Sequence, residues 1–161
     1  MTTPTNLPTG FDGTYKDFLK TKVDRCGANR EEYTTITVAA DSVTTAKTYG
    51  LVPFNKGFRL LYGATQLYTA DIDTTTTAAL TIDIGYAYKT GSAETDDPDA
   101  FASLLTTPRT GGLMTLDEQA GLAWVAADDG WIMFTLTGAS TASGAIEGQI
   151  AGCYDGLSAV N

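Results

Sequence analysis

Residues 78–88 read as a strand and as little else. Leu80, Ile82, Ile84, Tyr86 and Tyr88 fall on one face, and Thr81, Asp83, Gly85 and Ala87 fall on the other. A helix would repeat its apolar positions every three or four residues, so a strict period of two over this length excludes one. The same alternation recurs in residues 33–40, where Ile36 and Val38 share a face, and in 131–137, through Ile132, Phe134 and Leu136. It returns in 145–154, where Ile146, Ile150 and Tyr154 are separated by glycines. Shorter runs at 51–57, 58–68, 113–116 and 122–126 complete a set of seven or eight strands. The chain carries 28 threonines, a β-branched residue that fits a half-buried pleated surface.

Turn signals divide these runs. Asn55-Lys56-Gly57 ends one strand, Gly63 suggests a bulge or bend, and Asp128-Asp129-Gly130 has hairpin chemistry. Residues 90–99 form a polar, acidic loop ending in Asp97-Pro98-Asp99. There Asp97 can cap a helix that has Pro98 at its first position. The spacing of Phe101, Leu104 and Leu105 then predicts one short helix over 98–105. Many short strands with frequent turns and one small helix predict an all-β fold, an antiparallel β-sandwich or jelly roll.

The first 32 residues have another character and are expected to form an extended N-terminal arm, with the β-domain running from 33 to 161. Pro4, Pro8, Gly10, Gly13 and Gly27 interrupt regular structure there. Tyr15, Phe18, Leu19 and Val23 still fit one stripe of a short helix, which either packs on the chain's own core or docks on a neighbour. Charge marks the same boundary. Residues 1–30 hold Lys16, Lys20, Lys22, Arg25 and Arg30 against three acidic residues, whereas from Leu60 onward Lys89 and Arg109 face thirteen Asp and Glu. Such asymmetry often separates an interaction tail from a body. Tyr15, Lys16, Phe18, Leu19, Lys20, Lys22, Val23 and Arg25 are therefore the expected partner-binding residues.

A net charge of −9 repels phosphate backbones and argues against nucleic-acid binding. No apolar run reaches membrane-span length, and the first residues lack the charged and apolar regions of a secretory signal. Cys26 and Cys153 lie near opposite ends without metal or redox spacing, so reduced thiols are expected.

Catalytic equipment is thin. The chain has no histidine, the commonest general base and metal ligand. Asp71 and Asp73, or Asp96, Asp97 and Asp99, could offer oxygen ligands to calcium, but neither set has the spacing of a calcium-binding loop; solvated loops and a helix cap account for both. Glu94, Asp117, Glu118 and Glu147 could supply a carboxylate pair for glycoside hydrolysis, yet nothing in the sequence brings two together. There is no nucleophile elbow, phosphate loop or dinucleotide fingerprint. No enzyme, cofactor or metal is expected. Trp124 and Trp131 flank a turn and could stack on a sugar, although core packing is the commoner use of tryptophan in a sandwich. Tyr62, Tyr68, Tyr86, Tyr88 and Tyr154 are expected in the core or at subunit interfaces.

Four segments appear in a familiar order: Val52-Pro53-Phe54-Asn55-Lys56-Gly57-Phe58-Arg59-Leu60-Leu61, then Thr81-Ile82-Asp83-Ile84-Gly85, then Asp-Pro-Asp-Ala-Phe at 97–101, then Thr-Gly-Ala-Ser-Thr-Ala-Ser-Gly-Ala-Ile at 137–146. In this arrangement residues 38–154 resemble the small jelly-roll decoration, or cement, proteins of tailed-bacteriophage heads. The first 33 residues match no motif of that family. The resemblance implies a homotrimeric β-domain held between capsomers on the capsid exterior. It also implies the major capsid protein as partner, no enzymatic role, and synthesis in the host cytoplasm before incorporation into the virion. The rival reading is a carbohydrate-binding β-sandwich module of a tail fibre or adhesin, with Trp124 or Trp131 as its platform.

Overall fold

The computed structural model describes residues 29–41, 46–75 and 79–154, the first four of these by backbone alone. Two antiparallel sheets face each other, as the period-two runs predict. One contains β1 (Asn29–Val38), β3 (Phe58–Leu60), β4 (Gln66–Thr69), β7 (Gly112–Met114) and β9 (Gly144–Tyr154). Its order is β1-β9-β4-β7, and β3 also pairs with β9. The other contains β2 (Lys47–Phe54), β5 (Thr81–Tyr88), β6 (Asp97–Leu105) and β8 (Gly130–Thr137), in the order β2-β8-β5-β6.

The core lies between the sheets. Ile36, Val38, Leu67, Ile146 and Ile150 project from the first sheet toward Ile82, Ile84, Ile132, Phe134 and Leu136 of the second, and all ten are buried. These are the same-face residues of the alternating runs, so local periodicity and apolar burial select the same register. Buried threonines are satisfied within this frame. Thr34 Oγ1 donates to the Leu51 carbonyl at 3.2 Å, where a register shift between Gly50 and Val52 disturbs β2. Thr65 Oγ1 lies 3.1 Å from the Ala151 amide.

The long strand β9 pairs with β1 from Gly144 to Cys153, and with β4 and then β3 along its other edge. Its glycines allow that crowding. A Cβ on Gly152 would lie 2.1 Å from the ring of Phe58, and one on Gly148 would lie 2.0 Å from the Gln66 carbonyl oxygen. Phe58 is 2% exposed and has nowhere to retreat. Gly152→Ala is therefore expected to cost about 1–3 kcal/mol through overpacking. Chemical denaturation should show this as a lower midpoint with an unchanged slope.

Four local expectations are corrected. Residues 98–105 are not a helix capped by Asp97; they belong to strand β6. Its pairing with β5 shifts twice, between Ile82 and Ile84 and again between Ile84 and Tyr86. These irregularities place Ala100, Phe101 and Ala102 in consecutive buried positions, while Leu104 turns outward at 66% exposure. The helical spacing was thus the imprint of a bulged strand. As an edge strand, β6 tolerates Pro98, which lacks a ladder donor. Asp83 Oδ1 accepts the Leu104 N–H at 2.6 Å, where Leu104 adopts a positive φ of 53°.

The helix found among the described residues is one turn, α1 (Gln119–Leu122), and it replaces the start of the strand expected at 122–126. The rest of that stretch is extended without joining a named strand. It clips onto β3 by bonds from the Gly57 amide to Ala126 O (2.7 Å) and from the Ala126 amide to Phe58 O (2.8 Å). The run 58–68 is likewise divided into β3 and β4 by a 3-10 turn at Tyr62–Ala64, around Gly63. Strand β1 begins at Asn29, four residues before its alternating pattern becomes clear.

Candidate interaction surface

The most exposed aromatic side chains of the described residues occur together on one face. Tyr33 in β1 is 67% exposed and Tyr68 in β4 is 57% exposed. Strand β9 lies between them. Cross-strand register aligns Tyr33 with Gln149 and Gln66 in one row, and Thr35 with Glu147, Tyr68 and Leu113 in the next. Because alternate residues point the same way, both rows project from the outer side of the first sheet. Tyr33, Gln66, Tyr68, Glu147, Gly148 and Gln149 enclose a shallow groove of about 260 Å³. The Tyr33 hydroxyl donates to Glu147 Oε2 at 3.0 Å, which orients both side chains across the β1–β9 pair. Among the described residues the groove has two rings, two amides and a carboxylate, with no basic side chain.

Neither tryptophan expected as a possible platform is openly exposed: Trp124 packs against the core, and Trp131 is buried on the face of β8 opposite to Ile132 and Phe134. Trp131 is 8% exposed, opposite Pro53 on one neighbouring strand and Ala87 on the other. Trp124 is half-buried at the hub of an aromatic cluster. It stacks on Tyr86 at 4.7 Å and meets Phe54 and Phe101 edge-on, each at 5.2 Å. The other tyrosines divide. Tyr88 is buried, Tyr62, Tyr86 and Tyr154 are half-buried against the core, and Tyr68 is the outward one. Burial, then the carboxylates of Glu118 and Asp117, push the Tyr62 phenol up to about 12. Its hydroxyl donates to the Glu118 carbonyl at 3.1 Å.

The two acidic clusters differ in kind. Asp73 is buried and occupied by donors. Oδ2 accepts the amides of Ala79 (2.9 Å) and Leu80 (3.0 Å), and Oδ1 accepts the hydroxyl of Thr75 (2.7 Å). Burial raises its carboxyl, but the bonds from Leu80, Thr75 and Ala79 outweigh that and hold it below the usual range. Asp73 is thus a staple across a loop rather than an open oxygen ligand, and Asp71 assists by accepting the Asp73 amide at 3.2 Å.

In the second cluster, Asp96 accepts the Tyr88 amide at 2.8 Å. Asp97 and Asp99 meet Glu118 around a hollow of about 190 Å³, a convergence of carboxylates that the sequence did not disclose. Burial and the neighbouring Asp99 raise the Asp97 carboxyl. Among the described residues, no group of three or more Asp, Glu or Cys side chains is arranged to hold a metal ion. Lys89 binds Asp128 at 2.9 Å and Asp129 at 3.2 Å, tying the 128–130 turn to the end of β5. Cys153 carries a free thiol. No helix among the described residues is long and apolar enough to cross a membrane.

The partner-binding residues expected from the sequence, Tyr15, Lys16, Phe18, Leu19, Lys20, Lys22, Val23 and Arg25, lie outside the described residues, as does Cys26. The Tyr33–Tyr68 groove was missed. Its strands alternate visibly in the sequence, but the order β1-β9-β4 joins residues more than a hundred positions apart.

No protein-family model and no curated protein sequence matches the chain. Among solved structures it is similar to a chain of the cyanophage Pam1 capsid asymmetric unit, at a TM-score of 0.56 and 19% identity, over 78% of this chain and 84% of that one. It is also similar to a chain of the capsid of Ralstonia phage GP4, at a TM-score of 0.53 and 15% identity, over 81% and 88% respectively. At these identities the likeness is one of fold.

Proposed function

We propose that this chain is a structural protein of a bacteriophage virion, a decoration or cement protein that binds the outer surface of the head between capsomers. The observation that carries the reading is the shared sandwich fold, which spans most of this chain and most of its counterparts in two phage capsids. The motif order in residues 38–154 supports the same reading independently of the fold. A lattice protein needs many weak, repeated contacts, and a small β-module with a charged leading segment suits that task.

The basic, partly apolar stretch that contains Tyr15, Phe18, Leu19 and Val23 is the proposed contact with the major capsid protein. Burying four such side chains contributes several kcal/mol, at about 1.5–3 kcal/mol each before ordering costs. The proposed assembly is a homotrimer. It carries no catalytic role and binds no nucleic acid.

Antibody to this chain, applied to intact virions of the source phage, is expected to label the head exterior in electron micrographs. Labelling confined to tail fibres, or no copies in purified virions by mass spectrometry, would overturn the proposal. A chain starting at Ala28 retains all of β1 and is expected to fold with nearly unchanged Tm. It should cosediment with capsids far less than the full chain does. Equal cosedimentation would remove residues 1–27 from the capsid contact, and a 16.9 kDa species alone on the capsid lattice would remove the trimer.

A further inference from the structure

The groove between Tyr33 and Tyr68 uses residues that belong neither to the sandwich core nor to the segment proposed to contact the capsid, and its chemistry is specific enough to indicate a ligand. Two strand spacings of about 4.8 Å and two residues of rise separate the tyrosine Cα positions by roughly 12 Å. That is the scale of two linked pyranose rings. Gln149 and Glu147 on β9 lie between the tyrosines, and Gln66 lines the groove beside Tyr68 on β4. An amide offers both a donor and an acceptor, and a carboxylate offers acceptors, which is the complement of vicinal hydroxyl groups. Tyrosine faces present flat, electron-rich surfaces to the C–H face of a sugar, and their hydroxyls remain available for hydrogen bonds.

Charge narrows the choice further. Among the described residues no Lys or Arg lines the groove, while Glu147 does, so phosphate, sulfate and sialic acid find no counter-charge in them. The space of about 260 Å³ accommodates one or two sugar rings rather than a folded partner. Tyr33 is already hydrogen-bonded to Glu147, so part of the site is oriented before a ligand arrives.

We infer that the outer face of the β1-β9-β4 sheet is a binding site for a neutral oligosaccharide, stacked on Tyr33 and Tyr68 and hydrogen-bonded by Gln66, Glu147 and Gln149. Such a site lets the chain hold a neutral surface glycan weakly, with many copies acting together where the chain is arrayed. The site does not depend on the capsid role, and its test is separate from that of the capsid role.

The full chain is screened on an array of neutral hexose and N-acetylhexosamine oligosaccharides, with sialylated and sulfated glycans as charged controls. The strongest binder is then titrated by calorimetry. Binding is expected in the micromolar to millimolar range, confined to neutral glycans. Tyr33→Ala and Tyr68→Ala are each expected to weaken it at least tenfold. Gln149→Ala should weaken it severalfold. All three variants should keep the parent Tm, because these side chains face solvent, and should still cosediment with capsids. Absence of neutral-glycan binding at millimolar concentration overturns the inference, as does a preference for anionic glycans or an affinity indifferent to Tyr33→Ala. Loss of capsid cosedimentation in the tyrosine variants would instead make the face a protein interface, and that also overturns it.

Discussion

Trp124→Ala is expected to lower Tm by about 10 °C. The indole is the common neighbour of Phe54, Phe58, Tyr86 and Phe101, residues drawn from both sheets. Removing it leaves a cavity that those rings cannot all fill, because Phe54, Phe58 and Phe101 are themselves fully packed. Truncating a large aromatic in such a setting costs about 3–5 kcal/mol, and each kcal/mol shifts Tm by about 2–4 °C in a domain of this size. Trp124→Phe should recover more than half of the loss by keeping one ring in place. Calorimetric melting reads both variants. A Tm within 2 °C of the parent for Trp124→Ala would show that the aromatic cluster is a surface ornament of the fold, and the indole would again be free to serve as a platform.

The second large effect is expected at Asp73. Asp73→Ala removes the acceptor of the buried Leu80 amide, of the part-buried Ala79 amide and of the Thr75 hydroxyl. Leu80 is fully buried, so water cannot replace the lost partner at its amide. Each orphaned group costs about 1–3 kcal/mol, and a total near 3 kcal/mol corresponds to a Tm loss of about 6–12 °C. The same contact predicts a pH dependence of definite sign. Since the folded-state carboxyl titrates below its unfolded value, ionised Asp73 stabilises the fold above about pH 4, and the contribution fades as the pH falls through the folded-state value. Asp97 has the opposite sense, because its raised carboxyl opposes folding when ionised and is relieved by protonation. Denaturation midpoints of the parent and Asp73→Asn, measured from pH 7 down to pH 3, should therefore converge on acidification. A constant gap between them would remove Asp73 from the acid response.

Much of the scaffold was legible because strand formation here is a local matter. Alternation in 78–88 and 131–137 already assigns Ile82, Ile84, Ile132, Phe134 and Leu136 to a buried face, and the structure buries all five. The glycines of 145–154 were visible as interruptions. Their purpose required knowing that Phe58 and β4 press on β9. The 98–105 segment misled because Phe101, Leu104 and Leu105 carry the spacing of a helix. A strand with two register shifts produces the same spacing, and only its partner β5 distinguishes the cases.

The sites follow the same division. The poverty of catalytic groups, the acidic body and the basic leading segment are properties of residue type, and the sequence states them outright. Proximity is not such a property. Trp124 and Trp131 look equivalent beside a turn, yet only Trp124 packs against the core between the sheets, whereas Trp131 is buried on the other face of β8. Tyr33 and Tyr68 look like two more sheet tyrosines until β9, from the far end of the chain, inserts between their strands and aligns them across Glu147 and Gln149. The sequence by itself determined the class of fold and the faces of its strands, because periodicity acts over a few residues. Strand order, the bulges of β6 and the groove were decided only by the tertiary structure, because antiparallel pairing joins segments through contacts that no local pattern encodes.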